Sequence, residues 1–170
     1  PNASFDFVCA NYDFKNTVLD TLVKPYKIFF KDGIKIGVFG LGIELLHLVS
    51  PDLYKETKYL NPIEIAQDIS RDLKDKEACD LVICLSHLGY NYKNSDKISD
   101  LKLAAATKDI DLIIGGHTHT FLPKPTLVKN ASDENVSVNQ VGAYGVHLGR
   151  VDFYFDEQHQ RETSNKTIIL

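Results

Sequence analysis

Residues 110–121 of this 170-residue chain read IDLIIGGHTHTF, a short apolar run that ends in two glycines and two histidines. An apolar run without alternation predicts a strand that is buried on both faces, as in α/β sheets. His117 and His119 follow this strand, and functional groups in such sheets gather at the carboxyl ends of strands. Gly115 and Gly116 leave room for a ligand or a second loop close to the backbone. The stretch therefore predicts an α/β fold that presents two imidazoles at a strand end.

A second apolar run, DLVICLS at residues 80–86, predicts another buried strand that ends at His87. If the two strands are neighbours, the imidazoles of His87, His117 and His119 converge. Histidine is the commonest metal ligand, and three imidazoles suit a site of the zinc or manganese type. Taken singly, each histidine is better explained as a polar loop residue. Only the convergence of all three favours a metal site.

The other candidate residues have weaker support. His47 falls in an irregular loop, where it either lines a pocket or lies on the surface. His147 lies on a predicted strand and His159 in a polar tail, so neither is a site candidate. Ser86 and His87 are adjacent at a strand end, where their side chains point apart, and no acid follows at a recognisable spacing. The sequence therefore does not favour a serine hydrolase.

The rest of the chain predicts mixed sheets covered by two helices. Asp32 and Gly33 lie between apolar runs and predict a hairpin of residues 27–30 and 34–41. Asn61 and Pro62 predict the cap and first turn of a helix over residues 62–78. The remaining predicted elements are a strand over 5–11, a helix over 96–107, strands over 126–129, 136–141 and 146–155, and a polar tail over 156–165 that frays.

Composition limits the classes of function. The formal net charge is −4 and no basic run occurs, which argues against a surface that binds a nucleic acid polymer. No apolar run approaches the length of a transmembrane helix. Three cysteines without metal-ligand spacing are interpreted as free thiols. The chain begins at Pro1 and contains no Met, so we expect it to be a piece of something longer.

Several motifs together carry a family resemblance. They are GGHTHTFL at 115–122, LSHLG at 85–89, FDFVCANY at 5–12 and NQVG at 139–142, with LG at 148–149 beyond. The chain resembles the second half of the calcineurin-like metallophosphoesterase domain, specifically its 5'-nucleotidase branch. The resemblance implies a partial α/β/β/α sandwich and two divalent metal ions, either Zn, Mn, Fe or Co. It also implies that His87 and His117 bind one ion and His119 the other.

The motifs that this family needs from the first half of its domain do not occur in the sequence. They are Asp-x-His, Gly-Asp-x-x-Asp and Gly-Asn-His. Residues 1–170 are therefore interpreted as the C-terminal portion of one domain. No catalytic residue is assigned, and we expect the chain alone to be inactive or weakly active. We expect a nucleotide or other phosphomonoester as substrate, and self-association or pairing with the missing half.

Two functions stay open from the sequence. The first is hydrolysis of phosphate from 5'-nucleotides, with this chain supplying part of the di-metal site. The alternative is a non-catalytic α/β module that binds one transition metal or pairs with another chain. Export to the periplasm or the cell surface is implied by the resemblance alone.

Overall fold

A six-stranded mixed sheet forms the centre of the fold. The structure, a computed structural model, describes residues 3–93, 95–156 and 161–169, the last of these ranges for its backbone only. The described strands are β1 (Phe7–Val8), β2 (Tyr12–Asp13), β3 (Val23–Lys24), β4 (Tyr26–Lys31), β5 (Ile34–Leu41), β6 (Lys58–Tyr59), β7 (Leu81–Ser86), β8 (Leu112–Ile114), β9 (Thr126–Lys129), β10 (Asn135–Asn139), β11 (His147–Phe155) and β12 (Arg161–Ile169). The described helices are α1 (Pro51–Tyr54), α2 (Pro62–Asp75) and α3 (Asp100–Ala106).

The strand order of the main sheet explains where its functional edge lies. The order is β4-β5-β7-β8-β10-β9. The four central strands β5, β7, β8 and β10 are parallel to one another, and the edge strands β4 and β9 run antiparallel to their neighbours. Because the central strands are parallel, their carboxyl ends lie at one edge of the sheet. The α/β class predicted from the sequence, with mixed sheets and two covering helices, is confirmed.

The helices α2 and α3 cover one face of this sheet. Leu73 from α2 and Leu103 from α3 are fully buried and belong to the same cluster as Phe39, Val82 and Ile113 of the sheet. Burial of leucine side chains of this kind contributes roughly 1.5–3 kcal/mol each. The opposite face of the sheet is partly open. This arrangement leaves the carboxyl edge of the central strands free to carry a site.

The predicted hairpin between β4 and β5 is confirmed. The two strands pair antiparallel, and Asp32 and Gly33 in the turn both have a positive φ, 51° and 84°. A two-residue turn with positive φ at both positions matches the right-handed twist of the strands. The cap of α2 is also confirmed, because the Asn61 side chain accepts a hydrogen bond from the backbone N–H of Ile63 at 3.0 Å.

Several predicted boundaries are wrong. The predicted helix over 62–78 ends at Asp75, and Ala78 has a positive φ of 51° that a helix does not contain. The predicted helix over 96–107 begins only at Asp100, because the Ser99 side chain caps it by accepting from the N–H of Lys102. The predicted strand over 5–11 is reduced to the two residues of β1. Beyond them the chain turns across β5, where the N–H of Ala10 donates to the carbonyl of Gly40.

The predicted fraying of residues 156–165 is also wrong where the structure describes it. Residues 161–165 belong to β12, which pairs antiparallel with β11 along its whole length. Residues 157–160 lie outside the described residues. The polar sequence of β12 carries no burial signal, so its pairing depends on the partner strand. In the described part of the chain, no helix is long and apolar enough to cross a membrane.

Candidate metal centre at the carboxyl edge of the sheet

The ends of two neighbouring parallel strands bring His87 and His117 together. In the register of β7 and β8, Leu85 lies beside Ile114, so both strands end at the same level. His87 follows at once, and its N–H donates to the carbonyl of Leu41 at 2.8 Å. The ring centroids of His87 and His117 are 5.3 Å apart in an edge-to-face arrangement. The predicted neighbourhood of the two strand ends is thus present in the structure.

The loop that carries His117 and His119 has an unusual backbone. His117 has a φ of 66° and His119 a φ of 52°, which is the left-handed region that few residues other than glycine adopt. The N–H of Thr118 donates to the carbonyl of Gly116 at 2.8 Å and tightens the turn between them. A Cβ at Gly116 would lie 2.9 Å from Nδ1 of His87. Gly116 therefore allows the loop to pass directly against the His87 imidazole.

His119 lies beside this pair without ring contact to either member among the contacts described. Its ring centroid is 6.1 Å from that of Tyr144 in an edge-to-face arrangement. In the described part of the chain, no group of three or more His, Cys, Asp or Glu side chains is arranged to hold a metal ion. The convergence of all three imidazoles on a metal stays a prediction.

The electrostatic environment favours a neutral imidazole at His117. Burial is the largest cause that lowers the pKa of His117, and electrostatic interaction with His87, His119 and Lys97 lowers it further. A histidine binds a metal through a neutral ring nitrogen, so a lowered pKa keeps the ring available as a ligand near neutral pH. A donor set of adjacent imidazoles fits a borderline transition metal such as Zn²⁺.

A buried carboxylate lies under the two strand ends. The Asp100 side chain is fully buried, and its Oδ1 accepts a hydrogen bond from Oγ of Ser86 at 2.5 Å. Burial raises the pKa of Asp100 to about 6, against the lowering effect of the Ser86 hydrogen bond. The N–H of Leu88 donates to Oγ of Ser86 at 3.1 Å, so this hydroxyl is directed into the protein. Ser86 does have an acid partner, but it is held as an internal hydrogen-bond donor and not as a nucleophile.

A second buried polar residue holds the histidine loop. Gln140 donates from Nε2 to the carbonyl of Gly116 at 2.5 Å, and its Oε1 accepts from Oγ1 of Thr118 at 3.1 Å and from the N–H of Thr120. In the sequence, Gln140 was only part of the NQVG segment of the family resemblance. Asp100 was not singled out at all. Neither partner relation has a local sequence signal, because each joins segments that are more than a dozen residues apart.

The remaining histidines lie as follows. His47 is exposed and lines a pocket of about 390 Å³ with Tyr59, Tyr92 and Lys97. His147 packs against Phe121 with ring centroids 4.2 Å apart. His159 lies outside the described residues. In the structure, His87 and His117 are therefore the adjacent pair of histidines, and His119 lies on the same loop as His117.

Comparison with known proteins gives a consistent picture. The calcineurin-like phosphoesterase family matches residues 5–121. The chain is 38% identical over 149 residues to the trifunctional nucleotide phosphoesterase protein YfkN of Bacillus subtilis, covering 86% of the chain and 10% of that protein. It is 33% identical over 172 residues to a 5'-nucleotidase of Vibrio cholerae, covering 90% of the chain and 31% of that protein.

A solved structure agrees with these relatives. The crystal structure of a 5'-nucleotidase precursor from Thermus thermophilus superposes with a TM-score of 0.84 at 27% identity, covering 98% of the chain and 34% of that structure. The chain thus spans between a tenth and about a third of the length of these three proteins.

Proposed function

The chain belongs to the calcineurin-like phosphoesterase family, and from this premise we propose that it supplies part of the metal site of a phosphomonoesterase that acts on 5'-nucleotides. Members of this family are hydrolases that use divalent metals. The observation that carries the proposal is the edge-to-face contact of His87 and His117 at the ends of two parallel strands. The names of the relatives, a nucleotide phosphoesterase and a 5'-nucleotidase, support the substrate class.

We assign the metal ligands by position. His87 and His117 would hold one divalent ion, and His119 would hold the other. When bound, such ions supply Lewis-acid activation of a water molecule and of the phosphoryl group. The chain's own contribution is to present imidazoles at fixed positions, and the lowered pKa of His117 supports this role for that ring. The choice between Zn, Mn, Fe and Co is open, because the three histidines do not define the full donor set or the coordination geometry.

We propose that the remaining ligands come from a segment outside these 170 residues. The Asp-x-His, Gly-Asp-x-x-Asp and Gly-Asn-His motifs do not occur in the sequence. Two dications held by imidazoles alone would lack a negative counter-charge, so carboxylates are needed from elsewhere. The short share of the relatives' length that the chain spans supports this division of one domain.

The test is phosphate release from a 5'-nucleoside monophosphate with added Mn²⁺ or Zn²⁺. It is made on the 170-residue chain and on a longer form that includes the upstream segment. His117→Ala is the variant, and His47→Ala is the matched control, because His47 is an exposed histidine that we do not assign to the metal. We expect turnover by the longer form that His117→Ala abolishes and His47→Ala leaves intact.

Other results would change the assignment. Equal turnover by His117→Ala and the unsubstituted protein would refute the ligand role of His117. The alternative, a non-catalytic module that binds one transition metal, would be favoured by a different pair of results. Neither form would release phosphate, and the chain would bind one zinc ion that His117→Ala removes.

We also propose that the chain pairs with the other half of its domain or with itself. Leu85 and Ile114 are register partners near the carboxyl ends of β7 and β8 and are exposed by 41% and 45%, and Phe29 on the edge strand β4 is exposed by 45%. Exposed apolar side chains on a sheet support an interaction surface. Sedimentation of the isolated chain at micromolar concentration should show self-association. A monomer under these conditions would contradict the proposal that the isolated chain associates with itself. Export remains our proposal from the family resemblance, and cell fractionation with an antibody to the chain would test it.

A further inference from the structure

We propose that Asp100 is a positioning residue that sets the distance between the imidazoles of His87 and His117. The inference depends on the proposed function in one respect, namely that these two histidines bind the metal. Asp100 is the first residue of α3 and is fully buried, so its carboxylate is held inside the protein.

One oxygen of Asp100 ties down the strand end that carries His87. Oδ1 accepts the hydrogen bond of the Ser86 hydroxyl at 2.5 Å, and Ser86 directly precedes His87. The backbone N–H of Asp100 donates to the carbonyl of Gly89 at 2.8 Å, on the other side of His87. The loop that bears His87 is therefore held to the start of α3 before and after the imidazole.

The other oxygen lies against the strand end that carries His117. Oδ2 is buried and has no hydrogen-bond partner among the described residues. A Cβ at Gly115 would lie 2.3 Å from this oxygen, so the carboxylate rests directly on the Gly115 backbone. Gly115 precedes His117 by two residues, and its N–H donates to the carbonyl of Asn139. Asp100 thus touches both strand ends, and its width spaces them.

Stability alone does not explain a carboxylate at this place. A buried carboxylate with one oxygen unpaired is costly, and an apolar side chain of similar volume would often stabilise the fold more. The carboxylate is a planar, rigid group that accepts a hydrogen bond from the strand end before His87 and contacts the strand end before His117. Residues that hold ligands in place beneath a metal commonly affect metal affinity by about tenfold to a hundredfold.

The test compares Asp100→Ala with Asp111→Ala as a matched control. Asp111 is also a largely buried aspartate, and its Oδ2 accepts from the N–H of Val82 at 2.7 Å and from Lys74 at 3.1 Å. It joins the same two strands at their opposite end. A general loss of stability therefore affects both variants, whereas a positioning effect at the histidines affects only Asp100→Ala.

Two measurements on the chain separate positioning from metal binding. The first is the nuclear Overhauser effect between the ring protons of His87 and His117, which needs no metal. The second is the affinity for Zn²⁺ by titration calorimetry. In Asp100→Ala we expect the ring contact to be lost and the zinc affinity to fall about tenfold or more, with both kept in Asp111→Ala. Asp100→Asn should keep the ring contact, because its Oδ1 can still accept from Ser86.

Each outcome decides a separate question. A ring contact that persists in Asp100→Ala would overturn the inference, whatever the zinc affinity. A ring contact that depends on Asp100 in a chain that binds no zinc would support positioning and contradict the metal role in the proposed function. If Asp100→Ala does not fold, Ser86→Ala replaces it, because it removes the tie between Asp100 and the His87 strand end, together with the acceptor of the Leu88 N–H, and leaves the Asp100 side chain in place. An unchanged ring contact in that variant would overturn the inference as well.

Discussion

The substitution Gly115→Ala tests how closely Asp100 approaches the strand that leads to His117. The new methyl group would lie 2.3 Å from Oδ2 of Asp100 and 3.1 Å from Nε2 of Gln140. Neither side chain can move freely, since Asp100 accepts from Ser86 and Gln140 donates to the carbonyl of Gly116. The methyl group therefore overpacks a rigid, buried contact.

The magnitude follows from two opposing terms. Overpacking of a buried site costs roughly 1–3 kcal/mol. At a position with ordinary backbone geometry, alanine also lowers the conformational entropy of the unfolded chain. This effect stabilises the folded protein by about 0.4–1 kcal/mol. Gly115 is not among the glycines with a positive φ, so this gain applies here. We expect a net loss of about 1–2 kcal/mol in the free energy of unfolding.

The assay is urea unfolding of four proteins in a double-mutant cycle. They are the unsubstituted chain, Gly115→Ala, Asp100→Ala and the double variant. Removing the Asp100 carboxylate makes room for the methyl group, so the cost of Gly115→Ala should fall to near zero in the Asp100→Ala background. A Gly115→Ala protein as stable as the unsubstituted chain would refute the close approach. An equal cost in both backgrounds would show that Asp100 is not the obstacle.

Three further predictions concern Asp100, Gln140 and the cap of α2. Burial raises the pKa of Asp100 from 3.8 to about 6, so the folded state binds a proton more tightly than the unfolded state; stability should fall by about 3 kcal/mol as the pH rises from below 4 to above 6. Urea midpoints across this range should show the fall, and Asp100→Asn should flatten it; an equal slope in both proteins would assign the effect to another group. Gln140→Leu removes three hydrogen bonds to the histidine loop and should lower both the free energy of unfolding and the zinc affinity measured by calorimetry. An unchanged zinc affinity would show that Gln140 does not support the metal site. Asn61→Ala removes the cap of α2 and should cost about 1 kcal/mol in urea with no change in zinc affinity, so a weaker affinity would contradict its purely structural role.

Local signals predicted the parts of the fold that depend on neighbouring residues. The turn at Asp32 and Gly33 needs a positive φ at both positions, which these residue types tolerate. The hairpin could therefore be predicted from these two residues. Asn61 caps α2 because its side-chain oxygen reaches an N–H two residues ahead. The start of α3 was missed because Ser99 caps it in place of an earlier residue. Strand β12 was missed because its polar sequence gains its order from pairing with β11.

The candidate site divides in the same way. His87, His117 and His119 were identified from the sequence because each follows or lies just beyond an apolar run. Asp100 and Gln140 were not, because their partners are fixed only when separate segments fold together. A polar residue in a short helix or after a strand has no sequence feature that distinguishes a buried support from a surface group. The residues that hold the histidines therefore required the structure.

The loop that carries His117 and His119 is held in a strained backbone conformation. Gly115 and Gly116 were expected to leave room for a close approach, and they do so against Asp100 and His87 respectively. Neither glycine has a positive φ, whereas His117 and His119 in the same loop have φ of 66° and 52°. Such conformations cost about 1–3 kcal/mol each and persist only where the surroundings enforce them. The three hydrogen bonds of Gln140 to residues 116–120 provide that enforcement. The strain at His117 and His119 is therefore held in place by a buried side chain, and the imidazoles of this loop are fixed together with it.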